Sequence, residues 1–136
     1  MGIFIIAGAY FIQRVFKNRL FSSLVVMYGV GEVGVGVVAE NIFLPIHGFF
    51  ALALFLFGAA SAIMSYKFVE SPLSKVSVIL GAVALLSFFL AFLGAFSSGF
   101  YLGLGLGGME RFIVYPIYLW MLGFGAYLIG DSSSTT

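Results

Sequence analysis

The chain has 136 residues, of which 62% are hydrophobic and only 8% charged, and its mean hydropathy is +1.20, a composition that excludes an ordinary soluble domain. A formal net charge of +1 leaves no basic face able to neutralise a run of phosphates, so nucleic acid is excluded as a partner. The absence of cysteine excludes disulfide and thiolate chemistry.

Crossing a hydrocarbon core of about 30 Å takes about 20 helical residues, and the apolar runs are read against that length. The first run, Gly2 to Ile12, would be about 17 Å long as a helix, too short to span alone. It continues to residue 18 through Arg14 and Lys17, whose long side chains, like that of Arg19, snorkel to the interface and recover part of the length. It lacks a positive leading segment and a small-residue cleavage site, so it does not read as a removable signal peptide. Four full-length spans follow, at 20–39, 48–66, 76–96 and 109–130. In lipid each backbone must satisfy its own hydrogen bonds, so every span is expected to be helical. The expected fold is therefore all-α, an integral membrane bundle of about five transmembrane helices with the first short or incomplete, forming a single domain over 1–136. The polar tail 131–136 is the longest polar stretch, which leaves no room for a soluble catalytic domain.

Arg14, Lys17 and Arg19 fall in the first loop and Lys67 and Lys75 in the third. The positive-inside rule puts both loops in the cytoplasm, with the N-terminus outside and the C-terminus inside the cell. Ser77, Ala84, Ala91 and Ser98 recur every seven residues in the fourth run, joined by Gly81 and Gly94, and Gly58, Ala62 and Ser65 do the same in the third. Such low-profile seams let helices approach closely. Pro116 lies inside the fifth run, where it removes a backbone donor and is expected to kink the helix.

Gly29, Gly31 and Gly34 spell GxGxxG, as do Gly103, Gly105 and Gly108. Neither has the preceding strand or the downstream acid of a dinucleotide fingerprint, so no nucleotide is expected. The first copy reads as a packing groove, the second as a tight loop. A single histidine, His47, does not make a His-rich metal site, and with Glu40 and Glu110 it would bind a metal only through mostly carboxylate ligation. The plainer role for His47 is a hydrogen bond in a turn with Pro45. No metal and no cofactor is expected.

Projected at 100° per residue, Ser22, Gly29, Glu32, Gly36 and Glu40 fall in one stripe of the second helix. A carboxylate at the depth of Glu32 costs about 2.5 to 3.5 kcal/mol to insert, so it should point into the bundle and be paired. The fifth helix offers a matching face in Arg111, Tyr115, Tyr118 and Leu122, with Glu110 one residue earlier. Arg111, the only cation outside the two cytoplasmic loops, is expected to pair with Glu40, and the tyrosine hydroxyls and Glu32 to extend the polar line inward. The cluster of Glu32, Glu40, His47, Glu110, Arg111, Tyr115 and Tyr118 is either a lock between helices or a binding site for a small molecule, headgroup or proton.

The segments GVGVVAENIFLPIHGFFALALFLFG and GGMERFIVYPIYLWMLGFGAYLIG, above all the ERFIVYP run from Glu110 to Pro116, resemble the prokaryotic membrane proteins grouped as domain of unknown function 998, found in archaea and bacteria. The resemblance runs from the first residues to Gly130. It implies a multi-helix membrane bundle in which Glu40, His47, Glu110 and Arg111 match recurrent positions, and it brings no assigned activity. Glu32 lies outside the resemblance. Such proteins usually carry a further helix upstream, so the chain is expected to be short of one N-terminal helix, either because Met1 is not the native start or because a partner supplies that wall.

Three functions are compatible with these residues. The first is a non-enzymatic accessory or self-associating membrane component, with membrane lipids and other membrane subunits or further copies as partners. The second is a small-molecule or proton-coupled carrier using Glu32, Glu40 and Arg111. The third is an intramembrane enzyme acting on a lipid-type substrate, with Glu40 or Glu110 as base and His47 as its acid/base partner.

Overall fold

A computed structural model describes the backbone of residues 1–133 and the side chains as far as Gly130. Among the described residues the chain is all-α, without a strand. Five helices follow one another: α1 (Gly2–Phe16), α2 (Arg19–Val37), α3 (Leu44–Met64), α4 (Leu73–Gly94) and α5 (Gly105–Ser133). A 3-10 turn, Ser65–Lys67, extends α3, and another, Ser98–Tyr101, precedes α5. Four segments are long and apolar enough to cross a membrane: Arg19–Val37, Leu44–Lys67, Leu73–Gly94 and Gly105–Gly130. The chain is thus an integral membrane protein built of helices. The 15 residues of α1 rise only about 22 Å, less than the core thickness.

The helices divide into two compact units after Ser61. In the first, α1 and α2 form an antiparallel hairpin. The turn is locally determined: Lys17 closes α1 in the left-handed conformation (φ 50°) with its N–H donating to the Gln13 carbonyl at 3.0 Å. The Asn18 side chain then caps α2 by accepting from the Phe21 N–H at 2.9 Å. The first GxGxxG is a packing groove. A methyl added at Gly29 would lie 2.7 Å from the Ile6 side chain of α1, and one at Gly31 would lie 2.5 Å from the Leu54 backbone nitrogen of α3. At Gly34 it would fall within the Phe50 ring.

In the second unit α4 packs against α5. The buried side of α4 is small, with Ser77, Gly81, Ala84 and Ser87, whereas α5 buries Met109, Ile113, Ile117, Trp120 and Phe124. Small residues on one helix admit bulky ones on its neighbour, and close packing is the main attraction between helices in lipid. The seven-residue seam ends at Gly94, because Ser98 lies past the helix in the 3-10 turn. α5 runs on through Pro116 as one helix. The second GxGxxG begins in a turn and runs into the first turn of α5: Leu102 (φ 53°), Gly103 (φ 78°) and Gly105 (φ 69°) take positive φ, which the two glycines adopt without cost.

Two helix boundaries differ from the sequence expectation in a way that moves candidate residues. α3 starts at Leu44 rather than residue 48, since proline is tolerated in a first turn whose N–H groups have no helical acceptor. This places Pro45 and His47 in the helix. α2 ends at Val37, where Val38 turns extended (φ −103°, ψ 99°) after a run of valines and glycines with poor helix propensity. Glu40 consequently lies beyond the helix rather than on its stripe.

Candidate functional site

Within the first unit the polar groups occur at three heights. At the α1–α2 turn, the Ser22 hydroxyl of α2 donates to the Gln13 side-chain oxygen of α1 at 2.8 Å, with Ser22 buried. Midway along α2, Glu32 is half-buried on the side that carries Gly29. Gly36, one turn further, is exposed because α1 reaches back only as far as Val33, which its Gly2 approaches. At the far end, Glu40 and Asn41 are exposed and share with Leu44 an open concavity of about 470 Å³.

His47 fastens the α2–α3 connection. Its Nδ1 lies 2.6 Å from the Val38 carbonyl oxygen, and since a carbonyl only accepts, Nδ1 is the donor. A neutral ring held in this way presents Nε2 as an acceptor. Val38 is the residue at which α2 loses its helical conformation, so the bond ties the first turn of α3 to the end of α2.

In the second unit the face singled out from sequence is largely an outer one. Glu110, Arg111, Tyr115 and Leu122 are exposed and Tyr118 is half-buried. The Arg111 guanidinium donates to the Gly107 carbonyl one turn earlier at 3.5 Å, at the long limit of a hydrogen bond. The buried polar contact lies on another face. Trp120 Nε1 donates to the Ser65 hydroxyl at 2.8 Å, and that hydroxyl donates to the Ala62 carbonyl at 2.7 Å. The Ser65 hydroxyl is thereby both acceptor and donor at full burial, the state in which a buried polar group costs least. Trp120 also stacks on Phe124, with ring centroids 5.6 Å apart.

Of the seven candidate residues, Glu32, Glu40 and His47 belong to the first unit and Glu110, Arg111, Tyr115 and Tyr118 to the second. Among the described residues no group of three or more His, Cys, Asp or Glu side chains is placed to hold a metal ion. Sequence reasoning missed Trp120 as the donor to Ser65; the available signal was that it is the chain's single tryptophan, whose indole N–H requires an acceptor when buried. No family model, no curated protein and no solved structure matches the chain.

Proposed function

We propose that this chain is a non-enzymatic membrane component that works by associating with other membrane proteins or with further copies of itself. One observation carries the reading: three of the described side-chain hydrogen bonds fasten one helical segment to another. Ser22 is spent on Gln13, His47 on Val38, and Ser65 on Trp120 and Ala62. Hydrogen bonds of this kind hold helices together in lipid at about 0.6 kcal/mol each on average. The likeness of the ERFIVYP run to domain of unknown function 998 supports a multi-helix membrane bundle of the same kind. In this reading residues 14–19 and 67–75 face the cytoplasm, the N-terminus is outside and the C-terminus inside. The test is the protein mass of particles extracted from the membrane in a mild detergent. Particles holding more than one chain, or a second protein in fixed ratio, are expected; a monodisperse single chain of 14.6 kDa, free of other protein, would count against it.

Glu32 favours a second reading, a carrier. A carboxylate half-buried midway along a membrane-spanning helix is expensive, and ionisable groups at that depth commonly serve transport. A carrier using Glu32 predicts that Glu32→Gln abolishes flux or its pH dependence in vesicles. Unchanged behaviour of the variant removes this reading.

A further inference from the structure

The α1–α2 hairpin carries a groove of about 540 Å³ bounded by Ile6, Ala9 and Gln13 of α1 and by Arg19, Ser23 and Met27 of α2. Its polarity is graded along the helices. The end at the α1–α2 turn presents Gln13, Arg19 and the serine hydroxyls, while the other end is lined by Ile6, Ala9, Val26 and Met27. We propose that this groove binds an anionic phospholipid, with the phosphate of the headgroup at Arg19 and Ser23 and one acyl chain along Ile6, Ala9 and Met27.

Charge selects this occupant. Arg14, Lys17 and Arg19 lie within six residues of one another, and no aspartate or glutamate occurs anywhere between Met1 and Gly31. The charged side chains of this hairpin turn are therefore all positive, and a zwitterionic headgroup brings less to them than an anionic one. The Arg14 guanidinium lies 5.5 Å from the centre of the Tyr10 ring, and that ring also lines the groove, so a second cation stands beside its mouth. Arg19 is the first residue of α2, at the positive end of the helix dipole, where a cation is unfavourable without an anion to offset it. Basic grooves between transmembrane helices near the membrane surface bind acidic headgroups in this manner. The apolar end requires a hydrocarbon chain, which a free phosphate ion does not supply. The proposal does not depend on how the chain assembles.

The test is native mass spectrometry of the full chain in mild detergent, titrated with phosphatidylglycerol or with phosphatidylcholine of the same acyl chains. The wild type is expected to retain a single phosphatidylglycerol in preference to phosphatidylcholine. Arg19→Gln is expected to lower phosphatidylglycerol retention about fivefold, the effect of one surface cation, whereas Lys67→Gln, a cation of the other unit, should leave it unchanged. Met27→Trp, which fills the apolar end at a position already 40% exposed, should lower retention of both lipids. Excess inorganic phosphate should not displace the lipid. Equal retention of the two lipids, indifference to Arg19→Gln, an equal loss in Lys67→Gln, or displacement by phosphate would each overturn the proposal.

Discussion

The hairpin of α1 and α2 and the pair of α4 and α5 solve the same packing problem by different means. On the first, glycines bring backbones together: Gly2 of α1 meets the Gly29 backbone of α2, and Gly31 lets the Leu54 and Phe50 backbone of α3 approach the hairpin until even a methyl is excluded. On the second, the narrow face of α4 receives the bulk of α5, and the Trp120 to Ser65 hydrogen bond fastens α5 to the end of α3. The first arrangement depends on atoms that are missing, the second on atoms that are present. Substitutions should therefore act in opposite ways in the two regions.

The largest effect is expected at Gly31. Gly31→Ala places its methyl against main-chain atoms of Leu54 and Phe50 that have no rotamer by which to withdraw, and it should cost about 3 kcal/mol in denaturant unfolding from detergent. A cost below that of an ordinary surface change would show that the two helices are not held at this crossing. In the second region Trp120→Phe removes the indole donor while keeping an aromatic ring, with an expected loss of about 1.5 kcal/mol. A double-mutant cycle with Ser65→Ala should show that most of this loss is shared between the two residues. The equivalent cycle for Gln13 and Ser22 should be weaker, about 0.6 kcal/mol, because Gln13 is only half-buried. One effect of similar size has the opposite sign. Gly36 has nothing within reach of an added methyl, so Gly36→Ala should stabilise α2 by about 0.5 to 1 kcal/mol through helix propensity alone. Destabilisation at Gly36 would mean that another molecule packs there.

The helices themselves were legible in the sequence because uninterrupted hydropathy over about 20 residues has few other meanings. The seam of Ser77, Gly81 and Ala84 was legible for a similar reason, since small residues at helical spacing mark close packing. The polar arrangement was harder to read. The stripe from Ser22 to Glu40 presumed that α2 continues to Glu40, but the Val-rich, Gly-rich end stops the helix at Val37 and releases Glu40 into a turn. His47 finds a backbone carbonyl, at Val38, and main-chain acceptors leave no mark in a sequence. Ser65 reads as a spacer in a packing seam, and only tertiary structure shows its hydroxyl accepting a hydrogen bond from Trp120. The face of Arg111, Tyr115 and Leu122 is polar enough at one end to suggest an inward side, yet α5 buries Met109, Ile113, Ile117 and Trp120 instead. In a membrane helix the larger apolar side chains do not identify the buried face, because lipid accepts them equally well.

Association with other membrane chains is the central claim, and the absence of native cysteine makes it directly measurable. Single cysteines placed in turn at the exposed positions Phe4 and Phe11 of α1, Leu86 and Phe89 of α4, and Leu119 and Leu122 of α5 would be oxidised in native membranes and the products resolved by mass. Association predicts a discrete cross-linked species, two copies of the chain or the chain with one partner, confined to one side of one helix. Uncross-linked single chains at every position would contradict the account.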